Sequence, residues 1–345
     1  MIYHPVIYHP LILHPVIAMA AITKTISSSA TDSQLRPFDM RRDLGAVADL
    51  VELCFADTLD SDGRDYVARM RSAAHNSPFL SWASATSEWA SVPMGGFVYL
   101  QDGRLVGNAS LIPYYVKGRR FFLIANVAVH PDYRRQGIAR RLTERAIEFA
   151  RQKGTLSTWL HVREENYGAI RLYQSLGFLE RAVRTTWISQ PDYTPGEPPP
   201  GMHFIKPDGR QWPVYQTWLQ RSYPQELSWH IPFHASALNP GWQGSFSRFL
   251  YNTYVQQWGL LHGERLLGVA AWQSTAAHAN WLWLGAPQSA DEAAMQALLV
   301  YARRNAPTQR PLVLDYPAHR FDPAIEAAGF AVQQTLIWME LPFSK

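Results

Sequence analysis

Between Phe121 and Phe178 the chain runs through an order of elements that few folds accommodate. An apolar strand, FFLIANVAV, stops at His130-Pro131-Asp132-Tyr133. A basic loop, Arg134-Arg135-Gln136-Gly137-Ile138-Ala139, leads into the amphipathic helix ARRLTERAIEFARQKG, which Gly154 closes. The strand LSTWLHVR follows, then a short helix carrying Asn166, Ala169 and Tyr173 ahead of Gly177-Phe178. A helix N-terminus leaves about four N–H groups without intrahelical partners and carries roughly half a positive charge. Gly137 has no Cβ and Ala139 only a methyl, so a ligand can approach that backbone closely. Arg134, Arg135, Arg140 and Arg141 surround the turn with positive charge. Strand, loop and helix in this order make a cradle for a pyrophosphate. Taken alone, the loop also reads as a basic helix start with a turn glycine. The second half decides between them. Asn166 and Tyr173 lie two helical turns apart on one face, about 10 Å along the axis. An amide there can hold a polar ligand arm, and a phenol of pKa about 10 can protonate a departing thiolate of pKa about 8.5.

The pattern V-A-V-H-P-x-Y-R-R-x-G-I-A, then a helix, a strand and N-x-x-A-x-x-x-Y-x-x-x-G-F, resembles the acetyl-CoA-binding core of the GNAT superfamily of N-acetyltransferases. The resemblance implies acetyl-CoA as the acyl-donor substrate. It implies that Gln136, Gly137, Ile138, Ala139 and Arg140 present backbone amides to the pyrophosphate, with Arg134 and Arg135 beside them. Val127, Ala128 and Val129, on a strand that splays from its neighbour, would take the pantetheine arm. Asn166 would contact the cofactor, and Tyr173 would be the catalytic general acid. Many family members carry a glutamate on the central strand, where this sequence reads Ile124-Ala125-Asn126; no carboxylate lies between Phe121 and His130. The base is left open among three readings: Asn126 as a catalytic residue ordering a water, a side chain such as Glu52, Glu88 or His161 reaching in, or an amine that arrives neutral. No metal is called for.

At 345 residues, nearly half of them apolar, the chain can bury two cores. The net charge of +4 comes largely from arginines around the central stretch. That points to a polyphosphate ligand, with no polybasic run to suggest nucleic acid. The single cysteine, Cys54, excludes an intrachain disulfide and sits in the apolar run LVELCF as a small buried residue; a cytoplasmic location fits. Residues 2–17 repeat His-Pro at 4–5, 9–10 and 14–15. The prolines exclude a regular helix, a secretory signal and a membrane span. Residues 1–33 are therefore read as a disordered or mis-started extension, with a metal tract of His4, His9 and His14 as the alternative.

Residues 34–188 form the expected catalytic domain. Helices are expected over Arg42–Asp57 and Tyr66–Ala73, and a hairpin over Gly95–Tyr115 turns at Asp102-Gly103. The resemblance implies that Asn76–Val92, with Trp82 and Trp89, walls the acceptor pocket; a surface loop with two packed tryptophans is the alternative. SQPDYTPGEPPPG, residues 189–201, is a Pro-rich linker. Residues 202–345 then echo the first half. Gly103-Arg104-Leu105-Val106-Gly107 returns as Gly263-Glu264-Arg265-Leu266-Leu267-Gly268, Leu176-Gly177-Phe178 as Ala328-Gly329-Phe330, and Thr186-Trp187-Ile188 as Leu336-Ile337-Trp338. The chemistry does not return: Gly285–Ala290 replaces the arginine-glycine loop, and Ala318 and Ile325 replace Asn166 and Tyr173. The tryptophans concentrated in this half are expected to pack a core, with an aromatic wall facing the first domain's pocket as the alternative.

The fold class expected is α+β, two tandem GNAT-like domains, each a mixed, mostly antiparallel sheet flanked by helices, similar to mycothiol synthase-like members of the superfamily. The second would be degenerate. The activity expected is transfer of acetyl from acetyl-CoA to a primary amine. The alternatives are a non-catalytic acyl-CoA-binding regulatory protein and the same fold with a longer acyl donor. Expected partners are a small-molecule or peptide amine, without nucleic acid or membrane; the oligomeric state is left open.

Overall fold

The computed structural model describes residues 34–56, 59, 61–75, 95–116, 119–191, 200–229, 231–274 and 279–343. The histidine-proline tract, the Asn76–Val92 segment with Glu88, and the middle of the linker lie outside the described residues. Two compact units are present: one runs to Arg181 and takes in the chain end from Ile337, the other is Ala182–Leu336.

In the first unit, β1 (Leu35–Pro37), β2 (Gly96–Gln101), β3 (Arg104–Val116) and β4 (Arg119–Val129) pair antiparallel in sequence order. β5 (Ser157–Arg163) joins β4 in parallel, through Phe122↔Thr158, Leu123↔Trp159 and Ile124↔Leu160 only. Beyond Ile124 and Leu160 no further β4–β5 pair forms, so the strands splay at their C-terminal ends. Four helices position the cleft. α1 (Met40–Phe55) is N-capped by Asp39, whose side chain accepts from the Arg41 N–H, and buries Leu44, Val47, Val51 and Cys54. α2 (Ser61–His75) packs with it through Tyr66, Val67 and Met70. α3 (Ile138–Gln152) buries Ile138, Leu142, Ala146, Ile147 and Ala150 on its sheet-facing stripe. α4 (Tyr167–Ser175) follows β5. Both helices begin within two residues of the loop and cap residues that the spacing singles out.

The second unit repeats this plan. β6 (Leu179–Ser189), from Ala182 onward, pairs antiparallel with β11 (Leu312–Pro317). β11 pairs in parallel with β10 (Asn280–Gly285), and β10 pairs antiparallel with β9 (Arg265–Gln273). β8 (Val255–His262) and β7 (Met202–Ile205) complete the antiparallel run. α5 (Trp212–Ser222), α6 (Trp242–Leu250), α7 (Glu292–Asn305) and α8 (Asp322–Ala327) accompany them. The echo between halves is geometrical as well as sequential. In the first hairpin Tyr99↔Gly107, Leu100↔Leu105 and Gln101↔Arg104 pair around a register shift; in the second Leu260↔Gly268, Leu261↔Leu266 and His262↔Arg265 do the same. A Cβ on Gly107 would stand 2.9 Å from Ile138 Cγ2 on α3, and one on Gly268 2.8 Å from Met295 Cε on α7. The two glycines let the two helices sit down on their hairpins.

β12 (Phe330–Pro342) is divided, with residues to Leu336 in the second unit and those from Ile337 in the first. Trp187 accordingly belongs to the second core, while Trp338 stacks on His161 of the first at 4.1 Å between ring centroids. The echoed tryptophans Trp187 and Trp338 thus lie in different units. The boundaries 34–188 and 202–345 divide the chain; the compact units divide it elsewhere. Among the described residues no helix is long and apolar enough to cross a membrane.

Candidate active site

A cavity of about 660 Å³ opens in the first unit where β4 and β5 part. Val127, Ala128 and Val129 of β4 line it, with Arg134, Arg135 and Ala139 from the loop and the first turn of α3, and Asn166 and Tyr173 from α4. Eight of the sequence-selected residues therefore meet in one cleft. Gln136, Gly137, Ile138, Arg140 and Asn126 are not among its lining residues. Ile138 is buried beneath α3, and Arg140 donates to Ser175 Oγ at 2.7 Å and lies 3.6 Å from Glu144.

The loop is shaped by backbone geometry. His130 opens a 3₁₀ turn, Pro131–Tyr133, and its Nδ1 accepts from the Asp132 N–H at 3.4 Å. Arg135 and Gly137 both take left-handed backbone, at φ +65° and +77°. Gly137 is the N-cap of α3, and a Cβ there would meet nothing within 4 Å, so the side open to approach is the missing side chain's. No acidic residue occupies the first turn of α3. Among the described residues, four guanidinium groups line the cavity, from Arg134, Arg135, Arg163 and Arg171, against the single carboxylate of Glu165, which lies 3.5 Å from Arg163. The wall is net positive, as a polyphosphate requires.

The strand side is held open by a bulge. Between the pairs Asn108↔Ala128 and Ser110↔Ala125, β3 spends one residue and β4 two, Asn126 and Val127. Asn126 sits at φ +50°. Its carbonyl accepts from Asn108 Nδ2 at 2.9 Å, and its own Nδ2 donates to Tyr66 Oη at 2.8 Å. Asn126 is thereby tied to α2, while its neighbour Val127 lines the cleft. Of the other base candidates, Glu52 is bound to Arg71 at 2.5 Å, and that hydrogen bond chiefly holds its carboxyl below the usual range. His161 stands on β5 just past the splay point, fully buried against Trp338.

Tyr173 is about 1 % exposed, with its ring edge-on to Phe178 at 5.9 Å. Burial pushes its phenol well above the ordinary tyrosine range, so it carries its proton at every physiological pH. Asn166 is the N-cap of α4, and its Oδ1 accepts from the Ala169 N–H at 3.2 Å. Several lining residues were not assigned to the site from the sequence: Cys54, read there only as a small buried residue, and Phe55, Arg163, Glu165, Gly168, Arg171 and Leu172. The helical spacing between Asn166 and Tyr173 contained the signal for Gly168 and Leu172. Nothing local marks Cys54, which α1 delivers from 75 positions before Val129 to donate to that residue's carbonyl at 3.3 Å. Burial raises its thiol pKa, against the opposing pull of Arg134.

Residues 60–178 match the family model described as the acetyltransferase (GNAT) family. That stretch is therefore similar to the GNAT family. The chain is 45% identical over 67 residues to the ribosomal protein bS18-alanine N-acetyltransferase of Escherichia coli strain K12, which is 19% of this chain and 45% of that protein. It is 38% identical over 77 residues to the streptothricin acetyltransferase of Streptomyces lavendulae, 22% of this chain and 40% of that one. The chain thus spans less than half the length of these curated relatives. A crystal structure of a GCN5-related N-acetyltransferase from Sphaerobacter thermophilus superposes with a TM-score of 0.52 at 16% identity, covering 89% of this chain and 95% of that one. Because that likeness runs over both units, the second unit shares the GNAT-like fold, and the α+β class with two such domains stands.

Proposed function

We propose that the first GNAT domain transfers acetyl from acetyl-CoA directly to a primary amine. The observation that carries this reading is the coincidence of Val127–Val129, the loop residues Arg134, Arg135 and Ala139, and Tyr173 around one net-positive cleft. Residues able to hold the donor are present: an open Gly137 at the start of α3, the guanidinium groups around it, and a splayed strand. The transfer forms an amine N–C bond and breaks a thioester C–S bond. The Val127 N–H, re-aimed by the bulge, would polarise the thioester carbonyl. Tyr173, kept protonated by burial, would deliver its proton to the leaving thiolate, and the cleft would hold both reactants in line. The proton lost by the amine would leave to a water ordered by Asn126 or to the His161 imidazole, unless the amine arrives already neutral. The acceptor is a small-molecule or peptide amine, in keeping with relatives named for a ribosomal-protein alanine and for streptothricin. A cytoplasmic location accompanies this reading.

The second unit is proposed to bind no donor. Past the last β10–β11 pair, the Leu284 N–H donates to Tyr223 Oη at 3.1 Å, and the Tyr223 ring packs on Trp283 and Phe233. Arg184 lies over that ring and is bound to Asp315 at 2.5 Å. Here a tyrosine of the unit itself takes up the amide next to the splay.

The rival is a regulatory acyl-CoA-binding module, favoured by the lack of a carboxylate on β4. Calorimetric titration of acetyl-CoA, then of a longer acyl-CoA, into the wild type and Gly137→Glu tests both. One equivalent of acetyl-CoA, lost in the variant, supports one donor site in the first domain; no binding overturns it. Turnover with a panel of amines and alanine-terminated peptides then separates enzyme from binder.

A further inference from the structure

α6 is amphipathic the wrong way round. Its buried residues are Gly244 and Ser247. A Cβ on Gly244 would collide with the Asn239 carbonyl, and Ser247 Oγ is 2.8 Å from Ser236 Oγ. Arg248 folds inward as well, donating to the carbonyls of Ala237 at 2.8 Å and Asn239 at 3.0 Å. The helix is therefore docked through small and polar groups. Trp242, Phe246, Phe249 and Leu250, with Tyr254 just beyond the helix, are left between 64% and 84% exposed. The helical four share one side by spacing. A single exposed apolar side chain is ordinary; five together, four of them aromatic, mark a contact surface.

We propose that this face joins two copies of the chain, a twofold dimer in which α6 packs against its symmetry mate. Charge and area select this occupant. Between Glu226 and Glu264 the only Lys, Arg, Asp or Glu is Arg248, and its guanidinium is already engaged inward. A twofold contact sets a patch against itself, so any net charge would meet its like; a neutral aromatic patch does not. A face built for a membrane surface would carry lysines and arginines at its rim to meet anionic headgroups. Aromatic side chains bury roughly 150–250 Å² each. Five large residues at this exposure would remove roughly 700 Å² per copy, close to the ~800 Å² per partner of a standard interface.

Sedimentation equilibrium of the full chain, over a concentration series into the tens of micromolar, is the test. The expected result is twice the chain mass for the wild type and the single mass for Phe246→Glu/Phe249→Glu, with an unchanged circular dichroism spectrum. Phe249→Cys provides an independent reading: mild oxidation should trap a covalent dimer, since Cys54, the other thiol, is buried. A wild type that stays monomeric throughout overturns the proposal. So does a dimer that survives the charge substitutions, which would place the interface elsewhere. A monomer that instead cosediments with phosphatidylcholine/phosphatidylserine vesicles would make a membrane the occupant.

Discussion

Asn108 Nδ2 donates to the main-chain carbonyl of Asn126 at 2.9 Å, and its amide also reaches Ser110 Oγ at 3.1 Å. All three residues are buried. Asparagine tolerates left-handed backbone better than other non-glycine residues, and Asn108 fixes the Asn126 carbonyl in that conformation from the adjacent strand. The bulge that turns Val127 toward the cleft is therefore fastened from outside β4.

Replacing Asn108 with leucine should loosen that fastening. The Asn126 carbonyl would be left buried without its partner, at a cost of roughly 1–3 kcal/mol in stability by urea titration. Turnover should fall by roughly a hundredfold as the Val127 N–H loses alignment. Acetyl-CoA affinity, read by calorimetry, should move little, because the loop and α3 are untouched. Equal losses in affinity and turnover would contradict a positioning role.

Tyr173→Phe removes the proton while keeping the ring, and kcat should drop by roughly 10²–10⁴ with donor affinity retained. The pH profile carries the sign. Burial raises the Tyr173 pKa, so the acid stays protonated as pH rises through 10, the ordinary tyrosine value of about 10 notwithstanding. No alkaline loss of kcat should arise from Tyr173 below that pH. An alkaline limb below pH 9 that vanishes in the phenylalanine variant would contradict the environment described here.

Alanine at the two echoed glycines should cost different amounts. At Gly107 the added methyl would press on Ile138 Cγ2 at 2.9 Å, Leu142 Cδ1 at 3.0 Å and Tyr99 Cβ at 3.2 Å. At Gly268 its nearest neighbour is Met295 Cε at 2.8 Å, the far end of a flexible side chain, with Leu298 Cδ2 at 3.0 Å. Overpacking at Gly107→Ala should destabilise by roughly 2–3 kcal/mol, and Gly268→Ala by about 1 kcal/mol. Denaturant midpoints of the two variants test the order.

Asp43 accepts from Arg36 at 2.6 and 2.8 Å, from the Asp39 N–H at 2.8 Å and from Arg42 at 3.1 Å. Burial works to raise its pKa, but these donors outweigh it and the net direction is down. A depressed carboxylate stabilises the fold above its unfolded pKa of about 3.9 and stops doing so as pH falls through the folded value. Asp43→Asn should therefore cost roughly 2–3 kcal/mol at pH 7, and the gap from wild type should close as the pH is taken below 4. A gap independent of pH would mean the carboxylate charge plays no part.

What could be read in advance was contiguous. The Arg134–Ala139 loop, the Gly154 stop and the Asn166–Tyr173 spacing lie within a few residues of the groups they act on, so helix capping and periodicity expose them. Gly103 and Gly263, at φ +77° and +59°, mark hairpin turns for the same reason. Cys54, Phe55 and Arg163 reach the cleft only because α1 and β5 are carried there by packing. The Asn126 bulge left no local mark either, since what stabilises it is a side chain on another strand.

The sequence by itself determined the loop, helix caps and strand of the candidate cleft and the existence of a repeat, because each depends on turns, caps and spacings that neighbouring residues enforce. Only the tertiary structure decided which strand closes which sheet, how β4 bulges, and which face of α6 is left outward. Thr186-Trp187-Ile188 and Leu336-Ile337-Trp338 are near-equivalent apolar strand segments, and either matches an open antiparallel edge by pattern. The choice between them falls to contacts distant in sequence, such as Arg184 with Asp315 and Trp338 with His161, and no local pattern encodes a preference that weak at each residue and decisive in sum.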